Sequence, residues 1–235
     1  MHKLKLYGLF VGLTITIMLI CDTLAFKVIK LRGIEFAASG LIYSFSFLLS
    51  SITTEVYGFN LAGRIIWIQL LCHVIFILTV TLAVYLPSPD HSNISILYFA
   101  LYGNLWHVLL GSCIAIPSAY FINDIIISKL KIYMYGRLFI LRFFVSNVIG
   151  NAILVCISYP VNFYSQYSLT HIAVIGFNTW IYKLIASMVL LPIGIILTKK
   201  IKKFEKLDYY DYGLTYNPMT VFGNCNGVNQ YAQPN

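Results

Sequence analysis

Five ionisable side chains fall inside long apolar runs: Asp22, Glu55, Asp124, Arg142 and Lys183. A charge in hydrocarbon is costly, so such residues normally face a protein interior and mark a site or a pathway. Uncharged polar residues accompany them. Asn123 adjoins Asp124, while Ser146, Asn147 and Asn151 follow Arg142 at spacings of four, five and nine, which puts Arg142, Ser146 and one Asn on a common helix face. An Asn amide both donates and accepts hydrogen bonds and can match the edges of a polar solute, and a carboxylate can relay a proton. Each residue also has a plainer use. Asp22, Glu55, Asp124 and Arg142 lie within a turn or two of a predicted helix end, from which a long side chain reaches water, and Arg142 would serve equally as an anchor or an ion-pair partner. Asn151 would serve as a bridge between helices, worth about 1 kcal/mol. Lys183 differs in lying about twelve residues into its run, too deep for easy snorkelling.

Other chemistry is absent from the spacing. His73 and His107 are isolated histidines without a ligand-spaced partner, so no metal site is expected. No HExxH, GxSxG, paired acidic or nucleotide-binding motif occurs, so neither catalytic residues nor a cofactor are expected. Cys21, Cys72, Cys113, Cys156 and Cys225 are scattered without CxxC spacing, and the first four read as buried free thiols.

The elements that must position these residues are membrane helices. The chain of 235 residues is 59% hydrophobic and 10% charged, too few charges for an ordinary soluble surface. The predicted fold is all-α, an integral membrane bundle of about six transmembrane helices over 6–26, 36–54, 65–86, 108–128, 138–159 and 171–197. Residues 94–105 are expected to form an interfacial or re-entrant piece, and Pro192 to kink the last span. With both termini inside, eleven basic residues (Lys3, Lys5, Arg64, Lys129, Lys131, Arg137, Lys199, Lys200, Lys202, Lys203 and Lys206) face the cytoplasm against three outside (Lys27, Lys30 and Arg32), the asymmetry of the positive-inside rule. The net charge of +8 is thereby assigned to topology, with no direct role for nucleic acid. Residues 1–206 form the transmembrane domain, and the polar, Tyr-, Asn- and Gly-bearing residues 207–235 read as a disordered cytoplasmic tail.

The segment FLLSSITTEVYG at 47–58, followed by RIIW at 64–67, resembles the signature of the queuosine precursor transporter family, also called the vitamin uptake transporter family. The likeness continues in order through Ala119-Tyr120, the stretch 123–131 ending in SKLK, Arg142 with Ser146-Asn147 and Gly150-Asn151, Tyr182-Lys183, Pro192, 205–211 and Asn217-Pro218. It implies a multi-pass importer of the cytoplasmic (inner) membrane. The implied cargo is a 7-deazaguanine base, such as 7-cyano-7-deazaguanine, its aminomethyl relative or queuine, destined for queuosine in transfer RNA. The lipid bilayer and that small base are the implied partners, and a homodimer is among the assemblies allowed. Asn151, Asn123, Asn147, Ser146, Lys183 and Arg142 are the expected substrate contacts, with Asp22, Glu55 and Asp124 as coupling or gating residues. The chain departs from the family pattern at Ser51, Asn123 and Leu154, where carboxylates are common, which leaves open proton coupling or downhill uptake followed by trapping. The other reading is a substrate-binding subunit of a larger energised transporter.

Overall fold

Away from water a helix is the open-chain structure that satisfies its own backbone hydrogen bonds, and the apolar runs fold accordingly. The computed structural model describes residues 4–31, 33–87, 93–164 and 166–223. Within them are α1 (Tyr7–Thr23), α2 (Ser39–Tyr57), α3 (Phe59–Tyr85), α4 (Asn93–Tyr102), α5 (Leu105–Tyr133), α6 (Phe139–Phe163) and α7 (Leu169–Glu205). The protein is an all-α membrane bundle. Among the described residues the one sheet is the antiparallel hairpin of β1 (Val28–Leu31) and β2 (Ile34–Ala37).

Four helical stretches are long and apolar enough to cross a bilayer: α3, the run Ile94–Tyr133 that includes α5, α6 and α7. The 17 residues of α1 sit at the short end of spanning lengths. The predicted second span, α2, is not among the four, because it is studded with Ser and Thr. It lies between α1, α3, α5 and α7 and is buried continuously from Phe47 to Tyr57. A helix that meets protein rather than lipid tolerates polar groups when they are hydrogen-bonded.

Several boundaries differ from those read in the sequence. Phe36, expected in the second helix, is in β2, and α3 starts at Phe59, ahead of the predicted 65. The expected interfacial piece is α4, a separate short helix packed on α3 and broken from α5 at Gly103 and Asn104. Its Ile94, Ile96, Leu97, Phe99 and Leu101 are exposed, apolar surface that lipid would cover. At 37 residues α7 is about 55 Å long, well beyond a hydrocarbon core of about 30 Å, so its Lys-rich end projects from it. The helix continues through Pro192 without a break.

Residues 207–223 correct the expected disordered tail. They fold back over the end of the bundle, where Trp67 Nε1 donates to the Pro218 carbonyl at 2.9 Å, Arg64 Nε donates to the Val221 carbonyl at 2.8 Å, and Val221 is buried. Asp211 accepts from the Phe59 N–H at 3.0 Å, capping the start of α3. Its apolar and aromatic residues make this segment dock; 224–235 lie outside the described residues. Glu205, at the end of α7, likewise accepts from the Leu6 N–H at 2.6 Å at the start of α1. The start of α1 and the end of α7 are therefore at the same end of the bundle, together with the α2–α3 and α5–α6 turns.

Candidate functional site

The buried polar residues separate into three groups. The first is an ion cluster at the end that holds the α5–α6 turn. Tyr135, Gly136 and Leu138 all have positive φ there, a sharp turn that aims the Gly136 and Arg137 carbonyls at the Arg142 side chain. The Arg142 guanidinium also donates to Glu55, Nη1 to Oε2 at 2.5 Å and Nη2 to Oε1 at 3.2 Å. Lys202 donates to Glu55 at 2.7 Å, and Lys131 donates to the Glu55 and Tyr209 carbonyls and to Asp208, each at 2.6 Å. These bonds tie α2, α5, α6, α7 and the C-terminal segment together. Arg142 and Glu55 are thus fully engaged with each other and stand apart from Lys183.

The second group lies in the core between α2, α5 and α6. Gly150 allows the close approach, since a Cβ there would come within 2.9 Å of the Phe47 ring and 3.2 Å of the Ala119 carbonyl. Asp124 accepts from Ser50 at 2.7 Å and from Asn123 at 3.1 Å. The Asn151 amide donates to the Asn147 carbonyl at 3.0 Å, and the Asn147 amide to that of Phe143 at the same distance, while Ser146 donates to the Phe143 carbonyl as well. Asp124 Oδ2, Asn123 Oδ1 and Asn151 Oδ1 are buried without a partner. Such acceptors are destabilising until a donor reaches them.

The third group lines a small cavity of about 40 Å³. Asp22 of α1, Tyr43 of α2, Ser112 of α5, Tyr159 and Asn162 of α6 and Lys183 of α7 face it. Gly40 lets α2 approach α7 closely, since a Cβ there would come within 2.9 Å of the Thr179 methyl, and the Lys183 ammonium lies 4.8 Å from the centre of the Tyr43 ring. Leu154, where the family resemblance leads one to expect a carboxylate, also lines this cavity. Behind Asp22 lies His73, which sequence spacing left isolated. Its Nδ1 is 2.7 Å from Asp22 Oδ2 and its Nε2 hydrogen-bonds Ser112 Oγ. The two larger cavities are apolar grooves, one between α6 and α7 and one along Leu138, Phe144 and Met188, on faces that lipid would fill.

A water needs at least about 10–15 Å³, so the polar cavity holds a few waters and is smaller than any heteroaromatic base. The site is occluded. The order Asp22, His73, Ser112 is that of a serine hydrolase, but Ser112 lies mid-helix in α5, where the helix itself uses the neighbouring N–H groups. No pair of free N–H groups is left beside it to stabilise an oxyanion, which acyl transfer requires.

Of the residues singled out from sequence, Asp22 and Lys183 share this cavity, Asn123, Asp124, Ser146, Asn147 and Asn151 belong to the neighbouring core, and Arg142 and Glu55 belong to the ion cluster. Tyr43, His73, Ser112, Tyr159 and Asn162 were not singled out as site residues. The signal for His73 was its position in an apolar run; its partners are 51 and 39 residues away and invisible to local spacing.

A multi-pass bundle with an occluded polar site between its helices has the build of a small-solute carrier. The chain belongs to the vitamin uptake transporter family, since residues 37–197 match the family model described as "Putative vitamin uptake transporter". The match takes in α2 to most of α7 and leaves α1, with Asp22, and the docked C-terminal segment outside it. Neither the curated proteins nor the solved structures include a match to the chain.

Proposed function

We propose that this protein imports a 7-deazaguanine precursor of queuosine across the cytoplasmic membrane, without ATP and with both chain ends in the cytoplasm. The observation that carries the reading is the pairing of one cation, Lys183, and one carboxylate, Asp22, in a cavity flanked by Tyr43 and Tyr159. A guanine-like edge has two adjacent N–H donors and a carbonyl acceptor. A carboxylate complements the donors, an ammonium the acceptor, and tyrosine rings the flat faces. Asn123 and Asn151, with unpartnered carbonyl oxygens, and Asn147 supply further contacts as the occluded site opens toward the core. The excess of basic residues at the end that holds the α2–α3 and α5–α6 turns supports placing that end in the cytoplasm.

Cells that cannot make the precursor test the substrate. Expressing this protein and feeding each candidate base should restore queuosine in transfer RNA at low external concentration for at least one of them. Restoration by none would remove the deazaguanine assignment, and an ATPase that co-purifies with the protein would favour the capture-subunit reading.

A further inference from the structure

In the buried chain that joins α1, α3 and α5, Asp22 Oδ2 is taken up by His73, which leaves the other carboxylate oxygen to the base, and the part of the chain behind Asp22 is built to hold a proton. We propose that Asp22, His73 and Ser112 form a proton-binding relay that couples uptake to an inward proton gradient, an inference that rests on the transport reading above.

His73 is 0% exposed and Asp22 3%, so the contact between Nδ1 and Oδ2 is shielded from bulk water. Asp22 and Ser112 line the cavity while His73 does not, so the imidazole meets the cavity through a hydrogen-bonding group on each nitrogen. The Ser112 hydroxyl, which donates to the Leu109 carbonyl at 3.0 Å, turns toward Nε2 to pass a proton that comes to rest on the imidazole, and the Asp22 carboxylate stabilises the imidazolium.

The groups around the pair set the linkage. The cavity is faced by Lys183 from α7, Tyr43 from α2, Tyr159 from α6 and Cys21 beside Asp22 on α1. Among these Lys183 is the basic group on the cavity wall with Asp22, and it makes no ion pair among the described residues. With the imidazole neutral, the cavity is lined by one acidic side chain, Asp22, and one basic side chain, Lys183. When a base carbonyl engages Lys183 and the base N–H groups engage Asp22 Oδ1, Oδ2 is left to the imidazole, whose hold on a proton is strengthened as the ammonium turns to the base. By reciprocity the proton strengthens binding of the base. Release to the cytoplasm reverses both steps, and one proton and one positive charge cross with each neutral base.

Glu55 is excluded as the carrier by its ion pairs with Arg142 and Lys202. Asp124 accepts from Ser50 and Asn123 and, among the described residues, is not hydrogen-bonded to an imidazole.

The test has a transport arm and a substrate-independent arm. In liposomes holding the purified protein, an inward gradient of about 1.5 pH units permits up to about thirty-fold accumulation at one proton per base. Wild type is expected to concentrate the base. His73→Gln is expected to fall to simple equilibration while still exchanging labelled for unlabelled base, and Ser112→Ala to slow gradient-driven uptake. Accumulation by His73→Gln equal to wild type overturns the relay, as does a wild type that exchanges the base but ignores the gradient. In the second arm, ¹⁵N-histidine spectra identify the His73 signal by its loss in His73→Gln. A change of that signal to the protonated form as the medium is acidified supports the relay, and a signal that does not respond to acid contradicts it. Absence of both exchange and uptake in wild type would refute the transport reading alone, and the spectra would still decide whether His73 takes up a proton.

Discussion

Lys183 carries the largest share of the recognition assigned to any one side chain. Its ammonium is buried, rests on the Tyr43 ring and lacks a carboxylate partner within the described ion pairs, so a carbonyl on the cargo is its natural acceptor. Lys183→Met keeps the length of the side chain and removes the charge. A hydrogen bond to a charged group is worth about 1.5–3 kcal/mol, so the apparent KM for uptake is expected to rise roughly ten- to hundredfold with folded yield unchanged. Uptake kinetics at matched protein levels check this, and an unchanged KM would remove Lys183 from the site. Lys183 was legible in the sequence because a charge halfway along an apolar run has no cheap structural use. Asp22 was legible for the same reason, though its nearness to a helix end concealed its depth. The partners His73 and Ser112 were not, because their relation exists only once α1, α3 and α5 are side by side. Arg142 showed the opposite fault: its helical stripe with Ser146 and Asn147 is real, yet the guanidinium turns toward the backbone of its own turn and toward Glu55.

Helix packing around the site depends on a few close approaches and on one ion cluster. Gly150 lets α6 lie against Phe47 and α5, and Phe47 is itself stacked on Tyr120 with centroids 4.5 Å apart, so the ring cannot swing aside. Gly150→Ala should therefore destabilise the bundle by about 1–3 kcal/mol through overpacking, read as a lower thermal midpoint in detergent. An unchanged midpoint would mean that the ring relaxes freely. The ion cluster has a larger effect. Glu55→Gln leaves the buried Arg142 without its carboxylate and the half-buried Lys202 with Asp208 alone, and removal of one partner from a buried ion pair typically costs about 3–5 kcal/mol. The same thermal assay should show a fall exceeding that of Gly150→Ala; a smaller fall would show that the cluster adds little.

The docked C-terminal segment has its own pH dependence. Burial pushes the Asp208 carboxyl up, but Lys131 and Lys202 outweigh it and hold the group below the ordinary aspartate range. A carboxyl depressed in the folded state stabilises it above the unfolded value, and that contribution disappears as pH falls through the folded one. Protease cleavage between 207 and 223 should thus be resisted at neutral pH and appear only below the ordinary aspartate range. Cleavage that is equally fast at neutral pH would show the segment undocked. This docking was not legible in the sequence, because its Asn, Gly and Tyr content resembles a disordered tail and the anchors, Trp67 and Arg64, lie about 150 residues earlier.

At the scale of the whole molecule, helix number and order were the most legible features, because the length of an apolar run is fixed by the bilayer and not by the partners the helix will meet. What hydropathy obscured was the rank of the helices. The least lipid-like of them, α2, is the one the others surround, and it brings Tyr43, Ser50 and Glu55 to the cavity, the core and the ion cluster in turn. Polar groups at three levels along one buried helix give the bundle one clamped end and a looser polar interior above it. That is the arrangement an alternating-access carrier requires, with a site that opens by movement of helices about a fixed end. The central claim is that this chain alone carries a deazaguanine base across a membrane. Uptake of radiolabelled base by liposomes that contain only the purified protein tests it most directly. Saturable uptake without ATP is expected, with the KM raised roughly ten- to hundredfold in Lys183→Met. No uptake of any deazaguanine base above that of protein-free liposomes, with or without an imposed pH gradient, would contradict it.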